Sequence, residues 1–233
     1  MKITPKQVLT LAAKYIGYKE KASDKDLYSF EDNAGRGNFT MFQAELDKAK
    51  FWNTPKNGYE WCTSFVAWCF WRIAGSEAKD ILCLTRPYGA SCVSWAKYYA
   101  AQARLFTKPQ VGDQFFQRDS RDGLPCHTGI VESVNGNTFV TIEGNAGNAV
   151  KRVTRTLNNT VYGFGRPKYT AESEDEEMVR WNKIEDVPEG FYRDTVRQLM
   201  HDGIIKGKGN GVIDLTEDML RVMIFCQRII GKA

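Results

Sequence analysis

The chain has 233 residues, of which 42% are hydrophobic and 26% charged, and it carries a net charge of +4. That composition belongs to a folded globular protein, excludes disordered and collagen-like classes, and at this length allows one substantial domain with a small appendage. Charge is uneven, with 23 Lys or Arg against 15 Asp or Glu in residues 1–170 and 9 against 13 in residues 171–233, yet no dense basic run marks a nucleic-acid site.

The opening MKITPKQVLTLAAKYIGYKE has periodic apolar residues interrupted by Lys14, Tyr15 and Lys19. It lacks the apolar block and cleavage site of a signal peptide, and no apolar run is long enough to span a bilayer. Synthesis in a cytoplasm without membrane insertion is the expectation. Thr4, Pro5 and Gln7 form a helix start, with a Thr N-cap, Pro at the first helical position and Gln in the capping-box place. The helix is expected to end at Gly17.

Residues 19–39 are polar and read as a long irregular loop. Thr40 to Phe51 reads as a short second helix. A third begins at Cys62 and stops at Gly75, and a fourth covers about Ala90 to Leu105. Beyond this point short strands take over. Pro109 to Gln117 reads as a turn feeding a strand, and HTGIVESVNGNTFVTIEGN, from His127 to Asn145, as a hairpin turning at Asn135-Gly136. Lys151–Thr156 and Tyr162–Pro167 supply two more strands. Helices followed by an antiparallel meander predict an α+β domain over residues 1–170 with helices packed on a sheet.

Ala171 to Glu177, AESEDEE, is an acidic run without an apolar face, so residues 171–180 read as a linker. Residues 181–233 contain two helical patterns, Phe191–His201 and Thr216–Ile230, the second with Thr216 as its cap. They read as a small helical module, too small to hold much core unaided.

Six cysteines stand at 62, 69, 83, 92, 126 and 226 with no CxxC pair, a spacing that predicts reduced thiols and no zinc site. The histidines are His127 and His201, and His201 reads as a helix-end residue. A catalytic thiol must be available as thiolate, which a helix N-terminus favours through free N–H groups and the positive end of the dipole. Cys62 holds that position. His127 is the candidate base, and Glu143 or Asn145, on one face of the neighbouring strand, is the candidate group to orient it. With the turn at Asn135-Gly136, His127 is expected nearly opposite Glu143 or Gly144. Cys69, Cys83, Cys92 and Cys226 read as packing or exposed thiols. Trp61 is a candidate substrate-binding residue on the cleft wall, with a place in the core as the alternative reading.

The runs WCTSFVAWC, HTGIVESV and TIEGN together resemble the CHAP domain, the cysteine- and histidine-dependent amidohydrolase/peptidase family of papain-like peptidoglycan hydrolases. The similarity covers about Thr4 to Lys168. It implies a papain-like domain in which Cys62 is the nucleophile, His127 the base and Glu143 its orienting acid, with Asn145 assisting. It also implies action on bacterial peptidoglycan, at the bond between N-acetylmuramic acid and L-alanine or within the stem peptide and cross-bridge. An endolysin that acts on the wall after release fits the lack of a signal peptide. No cofactor is expected. Some members bind calcium through an acidic loop ahead of the Cys; Asp24, Asp26, Glu31 and Asp32 are acidic here but lack EF-hand-like spacing, which leaves calcium as the minority reading. The rival reading is a non-catalytic wall-binding or structural module on the same fold, and for the C-terminal module wall binding, self-association and plain packing all stay open.

Overall fold

In the computed structural model, which describes residues 3–170, 180–216, 219–220 and 223–224, the chain divides into two compact units, Met1–Ala171 and Glu172–Ala233. Residues 171–179 of the expected linker, most of the Thr216–Ile230 pattern and Cys226 lie outside the described residues, whereas Arg180, expected in the linker, lies in a strand.

Helix α1, Pro5–Ala13, starts as expected: the Thr4 hydroxyl accepts the Gln7 backbone N–H while the Gln7 side chain accepts from Thr4. It stops four residues before Gly17, whose left-handed φ of +96° turns the chain so that its N–H reaches the Val150 carbonyl at 3.0 Å. Thr40 likewise caps α2, Met41–Lys48. Helix α3 runs Cys62–Ala74 and ends at Gly75, and a short α4, Ala78–Ile81, follows. Helix α5, Cys92–Ala101, is capped by Ser91. It stops short of Leu105, because Ala103 adopts a left-handed φ and Leu105–Phe106 form β1.

Strands β2 (Gln114–Arg118), β3 (Pro125–Asn135), β4 (Thr138–Glu143), β5 (Lys151–Thr156) and β6 (Val161–Gly165) join β1 in an open antiparallel sheet of order β1-β6-β2-β3-β4-β5. The fold class is α+β. Alternation along the strands separates two apolar layers. Phe116, Ile130 and Ile142 join the helices in the main core, whereas Phe115, Val131, Phe139 and Phe164 form a second cluster.

Aromatic packing dominates the main core. Phe42 stacks on Trp61 and meets Phe65, Trp68, Tyr15 and Tyr18 edge-on. The indole N–H groups of Trp61 and Trp68 donate to Glu20 and Glu45, each at 2.8 Å, whereas that of Trp52 is buried without a hydrogen-bond partner. This packing fixes α3 from its first turn onward.

In the second unit, β7 (Arg180–Trp181) pairs antiparallel with β8 (Leu215–Thr216), and α6 spans Phe191–His201. The expected helical module therefore also holds a two-stranded ribbon. Trp181, Val187, Val196, Leu199, Ile213 and Leu215 are among the residues of its small core. The Thr216 hydroxyl accepts the Met219 N–H at 3.2 Å.

Candidate active site

Cys62 is the first residue of α3, and Trp61 supplies no side-chain cap. The first-turn N–H groups thus have no capping oxygen, and that of Thr63 is directed at the Cys62 sulfur. His127 lies near the start of β3. Its Nε2 is 2.8 Å from Glu143 Oε2, which leaves Nδ1 as the nitrogen able to serve Cys62, one of the groups that raise the imidazole's pKa. Cys62, His127 and Glu143 are brought together in a line.

The hairpin register differs from the expected one. Asn135 pairs with Thr138, so the turn residues are Gly136-Asn137, and an irregularity between Val131 and Ser133 shifts the ladder once more. Continuing the Ile130–Ile142 pairing by one residue sets Gly129 opposite Glu143, with His127 diagonal to the carboxylate. Gly129 is what makes this possible. A Cβ there would sit 2.5 Å from Glu143 Cγ, so the carboxylate side chain lies flat over a bare backbone. Gly144 serves the other side, since a Cβ would sit 2.4 Å from Phe65 Cβ and 2.9 Å from Trp61 Cζ3. The end of β4 thereby abuts the first turn of α3, which places thiol and carboxylate on either side of His127.

Glu143 is only 1% exposed and is held by more than the imidazole. Arg155 grips it with Nε at 2.5 Å from Oε1 and Nη2 at 2.8 Å from Oε2, and the Thr141 hydroxyl donates to Oε1. The guanidinium in turn covers the Phe115 ring, 4.4 Å from its centroid. Arg155 and Thr141 escape a reading of the sequence. Period-2 alternation puts Thr141 on the face of Glu143, but no local pattern shows that Arg155, paired with Phe139, reaches back along the strands.

These contacts set the charge states. Burial works to raise the Glu143 carboxyl, yet its bonds to His127 and Arg155 bring it down to about 2. Burial also works against a charged His127, but Cys62 and Glu143 raise the imidazole to about 9. The Cys62 thiol is lowered to about 5, foremost by a hydrogen bond from Cys92 and then, against burial, by His127 and the Thr63 N–H. Between those values the resting pair is thiolate and imidazolium.

Other sequence candidates fall elsewhere. Trp61 has no exposed surface. It is a core residue and the expectation of substrate contact is corrected, because the indole is enclosed by Tyr18 and Phe42 and its N–H is taken by Glu20. Asn145 follows β4 in a left-handed conformation, φ +59°, and no hydrogen bond joins its side chain to His127 among the described residues. Cys92, read as a packing thiol, has its sulfur 3.9 Å from that of Cys62. His201 is exposed and bonds Asp202.

Two acidic residues of the loop ahead of α3 are engaged by neighbouring side chains. Glu31 pairs with Lys19 at 2.6 Å, Asp32 accepts from Ser29, and the Lys21 ammonium lies over the Tyr18 ring. Among the described residues no three His, Cys, Asp or Glu side chains gather to hold a metal ion, and no helix is long and apolar enough to cross a membrane.

A helix-borne thiol, an imidazole and a buried carboxylate have the layout of a thiol-dependent acyl-transfer centre. Residues 54–145 match the family model of the CHAP domain, a stretch that contains Cys62, His127, Glu143 and Asn145. No curated protein matches the chain. Among solved structures, Ly7917 is similar at a TM-score of 0.41 and 14% identity over 71% of this chain. The chain spans only 63% of that relative's length. A protein similar to lipoprotein of the NLP/P60 family from Staphylococcus aureus subsp. aureus Mu50 scores 0.35 at 13% identity, covering 73% of this chain and 44% of that one.

Proposed function

We propose that the chain is a cysteine peptidoglycan hydrolase that cuts an amide bond of the bacterial wall, as an N-acetylmuramoyl-L-alanine amidase or a stem-peptide or cross-bridge endopeptidase. The observation that carries this reading is the Cys62–His127–Glu143 line within the CHAP match. The Cys62 thiolate attacks the amide carbonyl carbon, forming an S–C bond and an oxyanion that the Cys62 backbone N–H meets at the helix start. As the C–N bond breaks, the His127 imidazolium gives its proton to the departing amine and a thioester remains. His127 then takes a proton from water, the resulting hydroxide attacks the thioester, the C–S bond breaks, and the carboxylic acid leaves behind the Cys62 thiolate beside the His127 imidazolium, the resting pair. Glu143 holds Nε2 so that Nδ1 stays aimed at sulfur, and Arg155 and Thr141 keep the carboxylate in place. No step is assigned to Asn145.

Mass spectrometry of purified Gram-positive peptidoglycan digested with the chain tests this. New free amines are expected with no new reducing sugar ends. A new N-terminal alanine identifies an amidase, and any other new amine an endopeptidase. New reducing ends without new amines, or no product, would reject the proposal.

A further inference from the structure

Cys62 and Cys92 each occupy the first position of a helix, α3 and α5, and both side chains are buried, 6% and 8% exposed. Their sulfurs lie 3.9 Å apart. Two thiols so close and so shielded cannot both ionise, since the second negative charge would face the first without water between them. His127 decides which one does, because its imidazole favours the charged form of Cys62 and is not among the groups acting on Cys92. The other titratable groups facing the pair are Cys126, beside His127 on β3, and Glu60 ahead of α3. Both would carry negative charge when ionised, so neither favours a Cys92 thiolate.

We infer that Cys92 is a positioning residue of this centre, its S–H donating a hydrogen bond to the Cys62 thiolate and holding that sulfur between itself and His127. The inference rests on Cys62 being the nucleophile. The directions of titration agree with it. Hydrogen bonding to Cys62 is the leading cause that pushes the Cys92 thiol well above its ordinary value, while Cys62 moves down. Cys92 thereby keeps its proton although it also sits at a helix start, where a solitary thiol would be acidified.

The test follows iodoacetamide alkylation of Cys62 against pH by peptide mass mapping, in the full chain and in Cys92→Ser, Cys92→Val and Cys92→Ala. Serine keeps a donor of similar reach, whereas valine and alanine keep only bulk or its absence. In both apolar variants the midpoint of alkylation is expected to rise by about one unit, the size of one lost hydrogen bond to a charged group, and in Cys92→Ser to stay within a few tenths of the parent's. Unchanged midpoints in Cys92→Val and Cys92→Ala would overturn the inference. So would a Cys92→Ser shift as large as theirs, which would mark packing as the cause. The assay needs no wall substrate, so its outcome is separate from that of peptidoglycan digestion, and two apolar variants of different size guard against one failing to fold.

Discussion

Replacing Cys62 with alanine is expected to lower amine release from peptidoglycan by a factor on the order of 10⁴ or more, the scale on which loss of a covalent nucleophile acts in hydrolases. Neither of the buried helix thiols near it can stand in for it. Cys92 is held protonated beside Cys62, and Cys69 is buried in the helix interior with its thiol pushed up by desolvation. The fold should persist, because the aromatic contacts of Phe65 and Trp68 anchor α3 independently of its first residue. The stability cost should be about 1–3 kcal/mol, reflecting a small buried vacancy and a lost partner for His127. Retained wall digestion by a folded Cys62→Ala variant would place the nucleophile elsewhere.

The second large effect belongs to Glu143→Gln. The amide has nearly the shape of the carboxylate, so the change removes charge with little change of volume. Arg155 then sits partly buried without its anion and His127 loses the group that holds its tautomer. Activity should fall by about 10²–10⁴, in line with loss of the orienting acid in other hydrolytic triads. Stability should fall by about 3–5 kcal/mol, as when one partner of a buried ion pair is removed. The two losses have different pH signatures. The folded carboxyl, at about 2, lies below its ordinary value of 4.5. Its stabilisation is therefore fully present above about pH 4.5 and is lost as pH falls towards about 2. Urea unfolding at several pH values should show this component in the parent and not in Glu143→Gln. Equal acid sensitivity in both would mean that Glu143 is not charged in the folded protein.

How much of this was legible in the sequence depends on the range of each interaction. Thr4-Pro5 and Thr40 mark helix starts because capping is local, and Cys62 marks one because a polar, Gly-containing stretch gives way to an apolar helix there. His127 and Glu143 share a face only because of the ladder shift near Glu132; an unshifted hairpin turning at Asn135-Gly136 would set Gly144 opposite His127. The register itself was misjudged at two points that a hydrophobic pattern does not show, a turn displaced to Gly136-Asn137 and a ladder shift near Glu132. Longer-range partners were invisible. The starts of α3 and α5 converge across a separation of 30 residues to pair Cys62 with Cys92, and Arg155 reaches Glu143 from a strand position facing Phe139. Trp61 misled because aromatic residues suit both cleft walls and cores, and Glu20, which settles the matter by taking its N–H, is 41 residues away.

The resting charge state of Cys62 is open to direct measurement through the rate of its alkylation by iodoacetamide across pH in the full parent chain. A thiol lowered to about 5 and paired with an imidazole raised to about 9 should react at a high, nearly level rate from just above the first value to the second. A rate that instead climbs through an ordinary thiol midpoint, near about 8.5, would show that Cys62 rests as an unactivated thiol and would contradict the thiolate–imidazolium centre.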